Sequence, residues 1–124
     1  MTRINCAIAP QELTREHLIA EHREIKRIPN AIINGRFNLK GIPTLFTLGT
    51  GHVRFFYDKL EYLHKRYISI YMECISRGYN VTDYSNTFET AKILYPSLYN
   101  DYMETGRDRE LLLERINDRL SKKT

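Results

Sequence analysis

Two groups in this chain could act together on an electrophilic carbon: the carboxylate of Glu24 and an α-amine at Thr2. Thr at position 2 is small enough to permit removal of Met1, and an α-amine titrates near pH ~8, so part of it is unprotonated at neutral pH. Such an amine attacks carbonyl-like carbons and forms Schiff bases. A carboxylate beside it stabilises the cation that develops. Glu24 sits among Arg23, Lys26 and Arg27, which fits equally a surface helix with exposed ion pairs, each worth little. Spacing alone leaves both readings open.

The element that must position Glu24 is residues 14–27, TREHLIAEHREIKR. Leu18, His22 and Ile25 recur at helical spacing on one face. Glu16, Ala20, Arg23, Glu24 and Arg27 share the other, a charged strip that a polyanion could approach. Thr14 is suited to cap a helix running to about residue 28, and Pro29 predicts a break or kink there. Ala31–Ile33 can add a turn before Asn34-Gly35.

Residues 35–51 hold four of the six glycines and read as a loop with Leu45, Phe46 and Leu48 turned inward. A second helix is expected from Arg54 to Arg77. Phe56, Leu60, Leu63, Tyr67, Ile70 and Cys74 line its apolar face, Gly78 ends it, and Lys59, Lys65 and Arg66 lie on a solvated side. Residues 79–106 read as an irregular, tyrosine-pinned segment with one helical turn at Thr90–Leu94. A third helix is expected over Asp108–Leu120. The fold class is therefore mainly α, a compact three-helix bundle with long irregular loops, and residues 1–124 form one domain.

Composition narrows the function classes. Net charge is +4, with twelve arginines against seven lysines, and arginine favours bidentate phosphate contacts. No apolar run approaches the roughly 20 residues of a membrane span, and MTRINCAIAP lacks signal-peptide character, so a cytoplasmic protein is expected. Cys6 and Cys74 stand far apart without a C-x-x-C and read as buried free thiols. His17 and His22, five apart, do not share a helix face. No metal and no cofactor is expected, and His22 reads as a core residue with its ring nitrogens hydrogen-bonded.

Three motifs carry a resemblance: MTRIN at 1–5, HLIAEHRE at 17–24 and GHVRFFYDKLEYLHKR at 51–66. With ECISRGYNV at 73–81, Asp101-Tyr102 and the spacing of Arg115 and Arg119, they resemble the phage-type pyrimidine-dimer DNA glycosylase/AP lyase family over essentially the whole chain. The resemblance implies a three-helix single domain. The amine of Thr2 would attack C1′ of deoxyribose, with Glu24 assisting strand cleavage by β-elimination, and a flipped-out nucleotide would open the duplex. It implies DNA contacts for Arg3, Arg23, Arg27, Arg115 and Arg119, and support of the fold or active-site loop for His52 and Lys59. Damaged double-stranded DNA is the expected partner, cyclobutane pyrimidine dimers the expected lesion, a monomer in a phage-infected bacterial cell the expected setting.

Glu16 stands where the phage enzyme has Gln. Residues 28–43 are fewer than in the family, and the sequence has no Trp, whereas the phage member carries a Trp- and Tyr-rich tail. These departures bear on the lesion more than on the amine and carboxylate. The same chemistry on another damaged or modified base, or a non-catalytic DNA-binding relative, are the alternatives.

Overall fold

The computed structural model describes residues 2–122, with side chains described through residue 118. Six α-helical segments follow one another: α1 (Arg15–Glu24), α2 (Arg27–Ile33), α3 (His52–Phe55), α4 (Leu60–Ser76), α5 (Ser85–Leu94) and α6 (Gly106–Lys122). Short 3-10 turns precede α1 and follow α5. No strand occurs among the described residues, and the protein is mainly α. The three expected helices correspond to α1–α2, α3–α4 and α6; α5 is additional.

The start of α1 is fixed by Thr14, whose hydroxyl oxygen accepts from the His17 amide at 3.3 Å, an N-cap that satisfies one orphan donor. The break expected at Pro29 falls earlier, at Ile25–Lys26. Pro29 itself lies in the first turn of α2, where its missing N–H has no intrahelical acceptor to lose. The helix then runs through Ile33, and Gly35 takes a positive φ of 69° to reverse the chain.

The apolar stripe of α4 buries Leu60, Leu63, Tyr67, Ile70 and Cys74, with Phe56 just ahead of it. Its end is a Schellman motif: the Gly78 amide donates to Ile75 O and the Tyr79 amide to Cys74 O, both at 2.9 Å, with Gly78 at φ 82°, a conformation that costs glycine little. The helix does not run unbroken from Arg54. Residues 56–59 form a turn, closed by Lys59 Nζ donating to Phe55 O at 2.9 Å.

In the loop before α3, Phe46 is buried edge-on against Phe55, Phe56 and His52, and Leu48 lies against the core. Leu45, also expected inside, is 64% exposed: Phe46 occupies that part of the core, and its neighbour points the other way.

Residues 79–106 are more ordered than their aromatic spacing suggests. The turn expected at Thr90–Leu94 is the end of the ten-residue helix α5, which packs on α2 and α4. It buries Phe88 and Ala91, with Phe88 stacked on His64 and Tyr67 at 5.3 and 5.2 Å. Helix α6 begins two residues before Asp108. Thr105 Oγ1 accepts from the Asp108 amide at 3.2 Å and Asp108 Oδ2 from the Thr105 amide at 3.1 Å, a reciprocal capping box. Leu112 is buried and Ile116 packs at the core's edge; Leu120 lies outside the described side chains. No helix among the described residues is long and apolar enough to cross a membrane.

If Phe88 anchors α5, Phe88→Ala leaves a cavity between α4 and α5. The expected loss is about 3–5 kcal/mol of unfolding free energy, read from urea denaturation of the purified chain. A loss below about 1 kcal/mol would show that α5 contributes little to the core.

Candidate active site

The N-terminal segment has no helix and no strand partner, yet Ile4, Asn5, Cys6 and Ile8 are buried. Buried backbone groups need partners, and here side chains supply them. Three consecutive amides donate to three side chains: Arg3 N–H to Glu24 Oε1 at 3.0 Å, Ile4 N–H to His52 Nε2 at 2.9 Å, and Asn5 N–H to Glu21 Oε1 at 3.2 Å. Three consecutive carbonyls then accept. Cys6 O takes Tyr62 OH at 2.8 Å, Ala7 O takes Arg109 Nη1 at 3.2 Å, and Ile8 O takes Arg66 Nη1 at 2.6 Å.

This clamp brings Thr2 to Glu24. Three covalent bonds separate the Thr2 and Arg3 nitrogens, placing them under roughly 4 Å apart. With Arg3 N on Glu24 Oε1, the Thr2 nitrogen lies within about 7 Å of the carboxylate. Glu24 is 8% exposed, which limits competition from water for whatever it faces.

The expected DNA-contacting residues divide. Arg23 is exposed, and its Nη2 lies 3.5 Å from Glu24 Oε2, a long pair that leaves the guanidinium largely in solvent. Arg27 opens α2 and is exposed. Arg3 is half-buried, its amide on Glu24. Arg115 turns inward, donating to Asn5 Oδ1 at 2.9 Å, so at least part of it serves the N-terminal clamp. Arg119 lies outside the described side chains.

The sequence reading missed the hub of the clamp. Arg66, expected on the solvated side of its helix, is 7% exposed. Its Nε and Nη2 donate to Glu21 Oε2 and Oε1 at 2.7 and 2.9 Å. Burial works against the Arg66 cation, and the Glu21 carboxylate outweighs it, leaving the guanidinium above its usual range. Glu21 Oε1 also accepts from Asn5 Nδ2 at 2.9 Å. Glu21 lies three residues before Glu24 in HLIAEHRE, and that helical spacing was the available signal.

Burial lowers the proton affinity of His22 and His52. His52 Nε2 accepts the Ile4 amide, so Nδ1 carries the proton and donates to Thr47 O at 2.8 Å. Burial holds His52 below its ordinary value, with the Thr47 carbonyl pulling the other way. His22 is buried as expected, its ring among those of Tyr67, Tyr71 and Tyr84 and Nε2 at 3.4 Å from Tyr67 OH. Lys59 is tied to Phe55 O and to Asp58, in keeping with a supporting role.

Among the described residues no three His, Cys, Asp or Glu are grouped to hold a metal ion. A groove of about 820 Å³ runs along residues 6–10, bounded by Tyr62, Lys65, Met103 and Arg109, and includes neither Thr2 nor Glu24. Glu24 is thus buried outside that groove, beside the exposed Arg23 and one helical turn before the exposed Arg27. The family model for pyrimidine dimer DNA glycosylase matches residues 1–86, and the chain belongs to that family. It is a DNA repair glycosylase, its substrate DNA. The matched span contains Thr2, Glu24 and, of the clamp, Glu21, His52, Tyr62 and Arg66; α6, with Arg109, Arg115 and Arg119, lies beyond it.

Removing one member of the buried pair strands the other charge. Arg66→Met is expected to cost about 3–5 kcal/mol in urea unfolding, and Glu21→Gln combined with Arg66→Met less than the sum of the single changes. Strict additivity would mean that the two side chains are not coupled.

Proposed function

We propose that the protein is a bifunctional glycosylase and AP lyase acting on cyclobutane pyrimidine dimers in duplex DNA, with the α-amine of Thr2 as nucleophile and Glu24 as its carboxylate partner. The observation that carries this reading is the hydrogen bond from the Arg3 amide to Glu24. It ties the carboxylate to the chain one residue from the amine that removal of Met1 would expose.

The amine lone pair attacks C1′, and the base leaves with the electrons of the glycosidic bond. Loss of a proton from nitrogen and departure of the ring oxygen from C1′ give an iminium. Glu24 stabilises the positive charge on the sugar. The iminium then serves as an electron sink, making the C2′ proton removable by a nearby base. Its removal expels the 3′ phosphate, and water releases the amine. Arg3, Arg23 and Arg27 are suited to hold phosphates on the reacting strand, and Arg115 and Arg119 to contact the backbone from α6. A flipped-out nucleotide would give the amine access to C1′. The bonds to Glu24, His52 and Glu21 hold the N-terminal segment in place before substrate arrives, which limits the reorganisation left for the reaction.

Borohydride trapping on duplex DNA with an abasic site tests the mechanism. The native protein with Met1 removed is expected to give a covalent adduct. Glu24→Gln is expected to cut UV-irradiated DNA about 100-fold more slowly or worse, the scale of removing one preorganised electrostatic group. A chain with a blocked N-terminus should bind and not cut. Absence of a native adduct, or full turnover by the blocked chain, would exclude the amine. Incision of phage-modified but not of UV-irradiated DNA would move the substrate to another base.

The arginine face carries its own expectation. Binding should weaken steeply as salt rises, and Arg23→Ala should reduce the slope of log affinity against log salt by about 1. A slope unchanged by that substitution would remove Arg23 from the phosphate contacts.

A further inference from the structure

We propose that His52 is a positioning residue for the reactive amine: its neutral imidazole holds the N-terminal segment in register through the Ile4 amide, and protonation releases it. The inference rests on the Thr2 reading above for its catalytic consequence, though not for its structural one.

His52 is buried and fixed at both ring nitrogens. Nδ1–H donates to Thr47 O at 2.8 Å, which leaves Nε2 as the acceptor for Ile4 N–H at 2.9 Å. The ring is packed edge-on by Phe46 and Phe56 at 5.4 and 5.6 Å, so it cannot swing away without opening the core. Ile4 is two residues from Thr2, and its side chain is fully buried. The amides on either side, Arg3 and Asn5, bond to Glu24 and Glu21, both on α1. The middle amide faces a different element, the loop and short helix that carry His52. The amides of residues 3–5 are therefore gripped by two elements, α1 through Glu24 and Glu21 and the start of α3 through His52.

The imidazole is also the titrating member of the grip. A proton on Nε2 turns the acceptor into a donor aimed at another donor. The charged groups that face His52 are Glu21 from α1 and Arg115 from α6, the first favouring the imidazolium and the second opposing it, while the Thr47 carbonyl holds Nδ1. Burial keeps His52 below the ordinary value of 6.5 when the segment is docked. Undocking opens Nε2 to water, and the imidazole then binds a proton more readily as pH falls below about 6.5. Docking is thus at full strength above that value and weakens below it, by up to tenfold in the opening equilibrium per pH unit.

Hydrogen exchange and trapping test this on the full chain, with His52→Leu and His52→Gln. Leu removes the acceptor, whereas Gln offers a carbonyl oxygen near the Nε2 position and does not titrate. The protection factor of the Ile4 amide is expected to fall about tenfold per pH unit below 6.5 in the native chain and to stay flat in the Gln variant. His52→Leu should lose most of that protection. In borohydride trapping, His52→Leu should react about 10–100-fold more slowly, the scale of a small misplacement of a reacting group, with affinity for abasic DNA within twofold of native and with Gln recovering most of the rate. Native protection independent of pH, or a Leu variant that traps at the native rate, would overturn the proposal. A native chain that forms no adduct would instead defeat the Thr2 mechanism, and Ile4 exchange would still decide the role of His52.

Discussion

The fold of residues 3–8 depends on one buried ion pair. Glu21 and Arg66 meet at 2.7 Å with both side chains almost wholly out of water. Two charges cost more to bury than their attraction alone returns unless the remaining donors and acceptors are also used. Here they are: Glu21 accepts both the backbone and side-chain N–H groups of Asn5, and Arg66 donates a third bond to Ile8 O. The pair's remaining bonds thus fix which residues of the segment it holds. Glu21 holds residue 5 and Arg66 residue 8 of a segment that no sheet or helix would otherwise hold.

The spacing of those bonds explains how a helix and a loop divide the work. Successive N–H groups of an extended backbone point in opposite directions, so residues 3 and 5 face one neighbour and residue 4 the other. Glu24 and Glu21, one helical turn apart on α1, take residues 3 and 5; His52, from the far side, takes residue 4. The i, i+3 rise of a helix, about 4.5 Å, falls short of the roughly 6.6 Å covered by two extended residues. The difference is within the reach of two Glu side chains.

What could be read from the sequence follows from which signals are local. The stripe along α4, the Thr14 cap and the Gly78 stop are set by neighbours in the chain, and each stands where spacing places it. Only the end of helix α5 is legible in the sequence: its first residues, Ser85, Asn86 and Thr87, are poor helix formers, and the exposed Ile93 and Leu94 blur the stripe that the buried Phe88 and Ala91 define. Glu21 and Arg66 escaped for a different reason. A charged residue reads as solvated until a partner is known, and these two stand 45 positions apart. Thr2 and Glu24 were chemically plausible from residue type, but only the shared motifs distinguished Glu24 from the other carboxylates of α1. The fold then brings Glu24 to the N-terminal segment through a backbone amide that no side-chain pattern reveals.

The same geometry limits what the loop between α2 and α3 can alter. Its upstream end is held by Phe37 against Tyr57 and Tyr95, and its downstream end by buried Phe46, whose carbonyl accepts from Arg107 at 2.7 Å. Between these anchors most of residues 38–45 are exposed. Length changes in that stretch can be absorbed at the surface, since added or missing loop residues change closure entropy only slowly. His52 lies beyond the downstream anchor, with Thr47 beside it, so the imidazole that grips Ile4 is insulated from the variable stretch. The loop can change its exposed surface while the bonds from Arg3 to Glu24 and from Ile4 to His52 stay in register.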